Sequence, residues 1–338
     1  MEPRAPPSPA PIYQMLDAAQ TTAVLAAAIQ LDVFSRLGEE TRDAASVAAA
    51  IGAPERSTRI LLEAMVVIGL LDKEKAGALY RLTPLSQAYL VPGKPMYAGD
   101  MAGIQASPWM WAGLARLAEA VKKGGTVLED HAEKPENPHW EDFARSSGSV
   151  AFASSAALRP LLRDRLKGRS GARVLDVACG SGIYGYSVLL DHPGVELTLL
   201  DWPNVLQQAR QWGQKLRVDA SRVRYLEGSL FDVDFQGPYD VILLSHVYHH
   251  FEPAVCASLS RKVAGALAPG GAAVVHEFLS DAGNRAGAMF ALTMLVWTRE
   301  GTTYSSAEYV KWLVDAGLTR PAVHQPPGLP TGLIIAEK

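Results

Sequence analysis

A turn containing two glycines is the part of this sequence that most directly suggests chemistry. The segment Val174-Leu-Asp-Val-Ala-Cys-Gly-Ser-Gly182 is typical of a strand that runs into Gly180 and Gly182 and continues as a helix. Glycines at such a turn let the backbone approach a ligand closely, with the helix N-terminus behind it. Residues 180–185 also satisfy G-x-G-x-x-G, a weak signal that nicotinamide enzymes share.

Two acidic residues near this turn indicate which cofactor it suits. Asp176 lies four residues before the first glycine, where its carboxylate would attract the sulfonium and ammonium groups of S-adenosylmethionine (SAM) and repel a dinucleotide pyrophosphate. Asp201 ends the apolar segment 196–200 and is placed to accept hydrogen bonds from both ribose hydroxyls, although a simple strand-end acid is the alternative. The sequence therefore predicts SAM, with a nicotinamide oxidoreductase as the rival class.

The adenine is expected after the next strand, at Glu227-Gly-Ser-Leu-Phe231, where Leu230 and Phe231 would pack on its faces. The complete predicted cofactor site is Asp176, Gly180, Gly182, Asp201, Trp202, Ser229, Leu230, Phe231 and Ser245.

The elements that position these residues form an alternating pattern. Apolar strands separated mostly by helix-sized intervals predict a parallel sheet with helices on both faces. The predicted strands are 173–177, 196–200, 223–226, 239–244 and 272–277, followed by a terminal hairpin of 320–324 and 332–337. We predict a catalytic domain at 166–338, preceded by linking helices at 101–165 that lie over the substrate pocket.

The N-terminal part has a winged-helix pattern, with a flexible tail at 1–11 and a domain at 12–100. A helical segment from Tyr13 to Leu37 precedes two further helices, a strand pair about Ala76-Gly77, and a short helix capped by Thr83. Residues 1–100 contain nine basic and eleven acidic side chains, which argues against DNA binding because no basic face is available. The apolar third helix favours a homodimer interface.

Bulk composition excludes several classes. The net charge of −3 predicts neither a nucleic-acid nor a membrane partner, and no apolar run is long enough to span a bilayer. Two cysteines and a Pro-rich start without an apolar run predict a cytoplasmic protein.

Residues 15–338 resemble the bacterial and plant small-molecule O-methyltransferases of the hydroxyindole and caffeate type. Besides the glycine turn, the resemblance rests on Leu31-Asp-Val-Phe, Leu82-Thr-Pro-Leu, Tyr248-His-His-Phe, Leu267-Ala-Pro-Gly-Gly and Val274-Val-His-Glu277. It implies an α/β fold, namely a Rossmann-like class I methyltransferase sheet with a C-terminal hairpin, and a homodimer entwined through an N-terminal winged-helix domain. Ser229 and Ser245 depart from the family, which usually has an acid and a basic residue at those positions.

The resemblance also implies the catalytic residues. His249 aligns with the family's general base and Glu277 with an acid that orients the base. A further family acid is replaced by Thr303, for which Glu300 is the candidate substitute. We therefore expect SAM-dependent methyl transfer to a small aromatic acceptor in secondary metabolism, with O-methylation favoured. The alternatives are a carbon or nitrogen methyltransferase, a SAM-binding regulator, and a relative that no longer methylates.

Two further groups of side chains have competing interpretations. His246, His249, His250, His276 and Glu277 would also suit a metal ion, but a strand directly before them makes a helical ligand pair doubtful, and we predict no metal. Aromatic residues and methionines on either side of the site predict a flat, apolar acceptor, although core packing is the alternative. The predicted substrate residues are Trp111, Trp140, Phe143, His246, His250, Met289, Phe290, Thr293, Met294 and Trp297.

Overall fold

The computed structural model describes residues 8–74, 78–94 and 97–338. Residues 1–7 of the predicted tail and the strand connection at Ala76-Gly77 lie outside these ranges. The chain divides into two compact units, the first ending at Pro108 and the second running from Trp109 to Lys338. The first unit thus extends eight residues beyond the predicted boundary at residue 100.

The first unit consists of helices and one two-stranded antiparallel sheet in which Leu71 pairs with Leu82. Its elements are α1 (Ala10–Gln30), α2 (Val33–Leu37), α3 (Ala44–Ile51), α4 (Glu55–Val67), β1 (Leu71–Lys73), β2 (Tyr80–Leu82), α5 (Pro84–Tyr89) and α6 (Asp100–Gln105). The predicted cap at Thr83 is present, because its side chain accepts a hydrogen bond from the Ser86 N–H.

The predicted helical segment from Tyr13 to Leu37 is two helices rather than one. Asp32 lies between α1 and α2 with φ of 56°, a left-handed conformation that interrupts the helix. Aspartate is among the few residues besides glycine that tolerate this conformation, because its short side chain can form local hydrogen bonds. The first helix also begins at Ala10, inside the segment predicted as tail.

The second unit is a seven-stranded sheet with helices. Its elements are α7 (Pro108–Ala115), α8 (Leu117–Lys123), α9 (Pro138–Ser146), α10 (Gly148–Ser155), α11 (Arg159–Leu166), β3 (Ala172–Val177), α12 (Ile183–Asp191), β4 (Val195–Asp201), α13 (Pro203–Lys215), β5 (Val223–Glu227), β6 (Tyr239–Ser245), α14 (Pro253–Ala266), β7 (Leu267–Glu277), α15 (Arg285–Trp297), α16 (Ser306–Asp315), β8 (Thr319–His324) and β9 (Gly332–Glu337).

The strand order of this sheet is β5-β4-β3-β6-β7-β9-β8. Strands β3 to β7 are parallel, and β9 is antiparallel to both of its neighbours, which confirms the predicted parallel sheet and terminal hairpin. The chain adds strands first on one side of β3 and then on the other. The crevice at the carboxyl ends of β3 and β6 is therefore the topological switch point, where open α/β sheets bind ligands.

Both faces of the sheet are buried. Val174 and Leu175 are adjacent in β3 and belong to two different apolar clusters, because successive strand residues point to opposite faces. Burial on both faces explains why these strands read as continuous apolar runs. Among the described residues, no helix has the length and apolar character needed to cross a bilayer.

Candidate active site

The turn after β3 requires glycine at two positions. Gly180 and Gly182 have φ of 55° and 74°, where other residues are strained. A Cβ atom on Gly182 would lie 2.8 Å from Cε2 of Tyr186, which is too close. The next residue, Ile183, begins α12. The strand, the glycine turn and the following helix thus occur in the predicted order, and glycine at position 182 lets the turn pack against Tyr186.

The two predicted acidic residues are buried beside this turn and bound to its backbone. Asp201 accepts hydrogen bonds from the Gly180 N–H at 2.8 Å and from the Trp202 N–H at 2.7 Å. Asp176 accepts from the Gly185 N–H at 2.9 Å. Burial raises the pKa of Asp176 to about 8 and that of Asp201 to about 6. Each side chain thus stabilises the turn, and a bound cation would favour its negatively charged form.

The predicted adenine loop follows β5 and lies against the end of β4, because the Gly228 N–H donates to the Asp201 carbonyl at 3.0 Å. Ser229 accepts from the Phe231 N–H at 3.2 Å, so its hydroxyl shapes the loop. Leu230 packs on the core, whereas Phe231 is 43% exposed. An exposed ring at this position is available to a flat ligand.

Lys262 contacts the predicted adenine loop but is not among the residues predicted from the sequence. From α14, its ammonium donates to the backbone carbonyls of Leu230, Phe231 and Val233 at 2.8, 3.0 and 2.7 Å. The sequence carries no local signal for this contact, since the lysine is about thirty residues away in the chain.

The catalytic pair implied by the resemblance is in contact. His249 lies in a short turn after β6, and its Nδ1 is 2.6 Å from Oε2 of Glu277, the last residue of β7. The Tyr248 N–H donates to the other oxygen of Glu277 at 2.9 Å. Both side chains are buried. Neighbouring strands thus hold an imidazole and a carboxylate at hydrogen-bond distance in the switch-point crevice.

Burial favours the uncharged form of each member of this pair. It lowers the pKa of His249 to about 3 and raises the pKa of Glu277 to about 7. At neutral pH the imidazole is therefore unprotonated on one nitrogen. If Nδ1–H donates to Glu277, the free lone pair is on Nε2, the arrangement required of a general base.

The structure brings together some of the side chains that could bind a metal ion in the alternative interpretation. The candidate ligand atoms of His246, His249 and Glu277 lie within 4.8 Å of one another. The helical pair of His246 and His250 does not form, because His246 has φ of 61° and follows Ser245 at the end of β6. The 2.6 Å contact between His249 and Glu277 is shorter than the roughly 3.3 Å between two ligand atoms of a tetrahedral zinc ion. This contact suits a shared proton better than a shared ion.

Several predicted substrate residues lie close to the catalytic pair. Phe290 on α15 is 4.8 Å from the His249 ring, measured between ring centroids. Trp140 on α9 contacts His250 at 5.2 Å and Phe143 at 5.7 Å. The structure therefore brings α9 and α15 together beside the predicted base.

Four other predicted substrate residues differ in how deeply they are buried. Met289 is 53% exposed and Met294 is fully buried, which favours surface and core positions for them. Trp111 and Thr293 are half-buried. The suggested substitute acid, Glu300, is exposed and lies near Glu252, whose pKa it raises. Its proposed compensation for Thr303 is thus not supported by its position.

His139 was missed as a member of this aromatic group. Its ring contacts both rings of a stacked pair, Trp109 at 4.1 Å and Trp297 at 5.0 Å between centroids. The available signal was its position four residues before Phe143, which places both on one side of α9.

Comparison with known proteins gives a consistent result over both units. The O-methyltransferase dimerisation domain family matches residues 13–92, and the O-methyltransferase domain family matches residues 164–319. The chain is 28% identical to the tetracenomycin polyketide synthesis 8-O-methyl transferase TcmO of Streptomyces glaucescens, over 92% of this chain and 91% of that protein.

Two further similarities have higher identity. The chain is 30% identical to acetylserotonin O-methyltransferase of Mus musculus, over 90% of this chain and 82% of that protein. A solved structure described as an O-methyltransferase of Nostoc punctiforme PCC 73102 is 32% identical and matches with a TM-score of 0.91, covering 98% of this chain and 100% of that chain. The chain therefore belongs to the O-methyltransferase family.

Proposed function

We propose that this enzyme transfers a methyl group from SAM to a hydroxyl oxygen of a small aromatic acceptor in secondary metabolism. The observation that carries the proposal is the buried contact between His249 and Glu277, one strand away from the glycine turn. The names of the relatives support it, since one acts in polyketide synthesis and another on acetylserotonin.

The residues at the ends of β3, β4 and β5 fit SAM. The glycine turn precedes a helix N-terminus, and the buried acidic side chains of Asp176 and Asp201 suit a ligand with positive charge and ribose hydroxyls. Phe231 offers a partly exposed ring for the adenine. When bound, SAM would supply a methyl group attached to a sulfonium, an electrophile that a nucleophile attacks in line with the carbon–sulfur bond.

The chain's own contribution is to orient the acceptor and remove its proton. His249 accepts the hydroxyl proton at Nε2 while the oxygen–carbon bond forms and the carbon–sulfur bond breaks. Glu277 holds Nδ1–H and stabilises the imidazolium that results. The surrounding aromatic side chains exclude water from the reacting oxygen.

We expect His249→Ala to lower turnover about 10²–10⁴-fold, the usual contribution of a positioned general base. The affinity for SAM should change little, because the imidazole faces the acceptor. Glu277→Gln should cost less, since an amide oxygen still accepts from Nδ1–H. Turnover is measured by mass spectrometry as a gain of about 14 Da per acceptor, and SAM affinity by calorimetry.

A nearly silent His249→Ala variant, assayed with the true acceptor, would remove the general-base role and favour carbon or nitrogen methylation, in which alignment alone suffices. Silence of the wild-type protein across a broad panel of phenols, indoles and amino-acid derivatives, despite tight SAM binding, would indicate a relative that has lost methyl transfer. Tight binding of NAD or NADP with none of SAM would overturn the cofactor assignment.

We also propose a cytoplasmic homodimer that forms through residues 13–92. The match to the dimerisation domain family and the exposed apolar side chains of α1 and α4 support this assembly. Both cysteines are free and buried, which suits a reducing compartment. Helices α7 to α11 are assigned to the acceptor pocket.

A further inference from the structure

A chain of aromatic rings extends from the catalytic pair through the second unit. We call it the ring cluster; it consists of His250, Trp140, His139, Trp297 and Trp109. Successive rings lie 5.2, 5.3, 5.0 and 4.5 Å apart between centroids, and His250 is 4.4 Å from His249. The cluster thus leads from the proposed base to the far end of α15.

Three side-chain nitrogens of the ring cluster are buried without a hydrogen-bond partner among the residues that the structure describes. They are Nε2 of His139, Nδ1 of His250 and Nε1 of Trp297. Burial lowers the pKa of His139 to about 4 and that of His250 well below its usual value, so both imidazoles are neutral. A buried polar atom without a partner destabilises a protein, and its presence requires an explanation.

The other two tryptophans of the cluster show that partners were available in this environment. The indole N–H of Trp109 donates to the Asp130 carbonyl at 2.7 Å, and that of Trp140 donates to the Ala132 carbonyl at 2.8 Å. Trp297 is 4% exposed and its indole N–H, which can only donate, has no such carbonyl in the described chain. The unpaired donor is therefore specific to one position in the cluster.

Position along α15 indicates which end of an acceptor would meet this donor. Phe290 contacts the His249 ring, and Trp297 is seven residues later on the same helix, about 10 Å along its axis. His139 Nε2, in the neighbouring ring, adds a second unpaired polar atom at the same end. An oxygen that receives hydrogen bonds there would lie at the opposite end of the acceptor from the reacting hydroxyl.

We propose that Trp297 and His139 form a polar subsite for a carbonyl oxygen at the end of the acceptor remote from the methylated hydroxyl. The acceptor class is thus a fused aromatic ketone or quinone with at least two rings, rather than a simple phenol. This inference rests on the proposed function, since it takes His249 as the reacting end. The Trp297 indole N–H donates to the carbonyl, which satisfies the group that is otherwise unpaired.

The test uses two bicyclic phenols that differ by one carbonyl, 5-hydroxy-1-tetralone and 5,6,7,8-tetrahydro-1-naphthol. Binding of each to the protein loaded with S-adenosylhomocysteine is measured by calorimetry, and methylation is followed with SAM. We expect the tetralone to bind at least about tenfold more tightly. Trp297→Phe keeps an apolar ring but removes the N–H, and should abolish this preference while leaving affinity for the tetrahydronaphthol similar.

Two further variants make the result specific. Trp109→Phe, which also removes an indole N–H from the stacked pair, should retain the preference because that N–H is already bound to Asp130. His139→Phe should reduce the preference and replaces Trp297→Phe as the test if the latter fails to fold.

Equal binding of the two phenols, binding of neither, or a preference unchanged by both Trp297→Phe and His139→Phe would overturn the subsite. Methylation of both phenols without preference would overturn the subsite while supporting the proposed function. Selective binding of the tetralone without methylation would support the subsite and count against the proposed function.

Discussion

At the scale of single residues, the site is built from carboxylates that are bound to backbone N–H groups. Asp201 uses both of its oxygens in this way, one toward Gly180 and one toward Trp202. Each carboxylate oxygen has a second lone pair, so ribose hydroxyls can be bound without breaking these contacts. The same residue thus shapes the glycine turn and remains available to the cofactor.

Replacing Asp201 tests this double role. Asp201→Ala should weaken SAM binding by about 1.5–3 kcal/mol, or roughly 10–150-fold, the range for hydrogen bonds to a charged group. Calorimetry measures the affinity. Asp240→Ala is the matched control, because Asp240 also accepts a hydrogen bond from a backbone N–H, that of Arg173 at 2.9 Å. Asp240 lies at the amino ends of the strands, away from the glycine turn. Unchanged SAM affinity in Asp201→Ala would rule out the ribose contact.

At the scale of elements, the predicted adenine loop is held by a helix that follows it in the chain. Lys262 on α14 binds three backbone carbonyls of the segment after β5 and lies 4.5 Å from the Phe235 ring. Three oxygens held by one ammonium keep this segment in one conformation without secondary structure of its own. The loop is therefore preorganised for a flat ligand.

Lys262→Met removes these hydrogen bonds and keeps most of the apolar stem. We expect the KM for SAM to rise about tenfold, because loop order must then be gained on binding. The kcat should change little, since the catalytic pair lies on other strands. Steady-state kinetics measures both constants. Lys311→Met on α16 is the control, because its ion pair with Asp315 is exposed and a change in KM there would indicate a general charge effect.

At the scale of the whole molecule, the first unit carries apolar side chains that it does not bury itself. On α1, Met15 and Leu16 are 74% and 69% exposed, and on α4 Val67 is 85% exposed. Exposed apolar residues grouped on one unit are typical of an interaction surface. This surface lies within the residues matched by the dimerisation domain family.

We expect the protein to be a homodimer at micromolar concentration and the double variant Met15→Glu, Leu16→Glu to be largely monomeric, because two buried charges would oppose association. Light scattering measures the mass. Val314→Glu, an exposed apolar position on α16, should leave the dimer intact. A monomeric wild-type protein, or sequence-selective DNA binding in a salt titration, would contradict this assembly.

The sequence by itself determined the strands of the sheet and SAM as the cofactor, whereas the individual cofactor residues stay predictions. Strand periodicity, the glycine turn, the cap at Thr83 and the acid at the end of β4 are local features, because each depends on residues close together in the chain. The bounds of the helices differ more from those predicted from the sequence. The interruption at Asp32 depends on one residue adopting a left-handed conformation, which an Ala- and Leu-rich pattern does not indicate.

Only the tertiary structure decided which distant residues meet. Lys262 reaches the predicted adenine loop because α14 packs beside it. The family resemblance already implied that Glu277 orients His249, and the structure adds the 2.6 Å contact that the neighbouring strands β6 and β7 produce. The surroundings of Trp297 likewise decide that its indole N–H has no partner among the described residues. Trp109 and Trp140 have the same side chain, and their N–H groups are hydrogen-bonded. Local propensity encodes elements, whereas contacts between elements depend on strand order and packing that no short stretch of sequence contains.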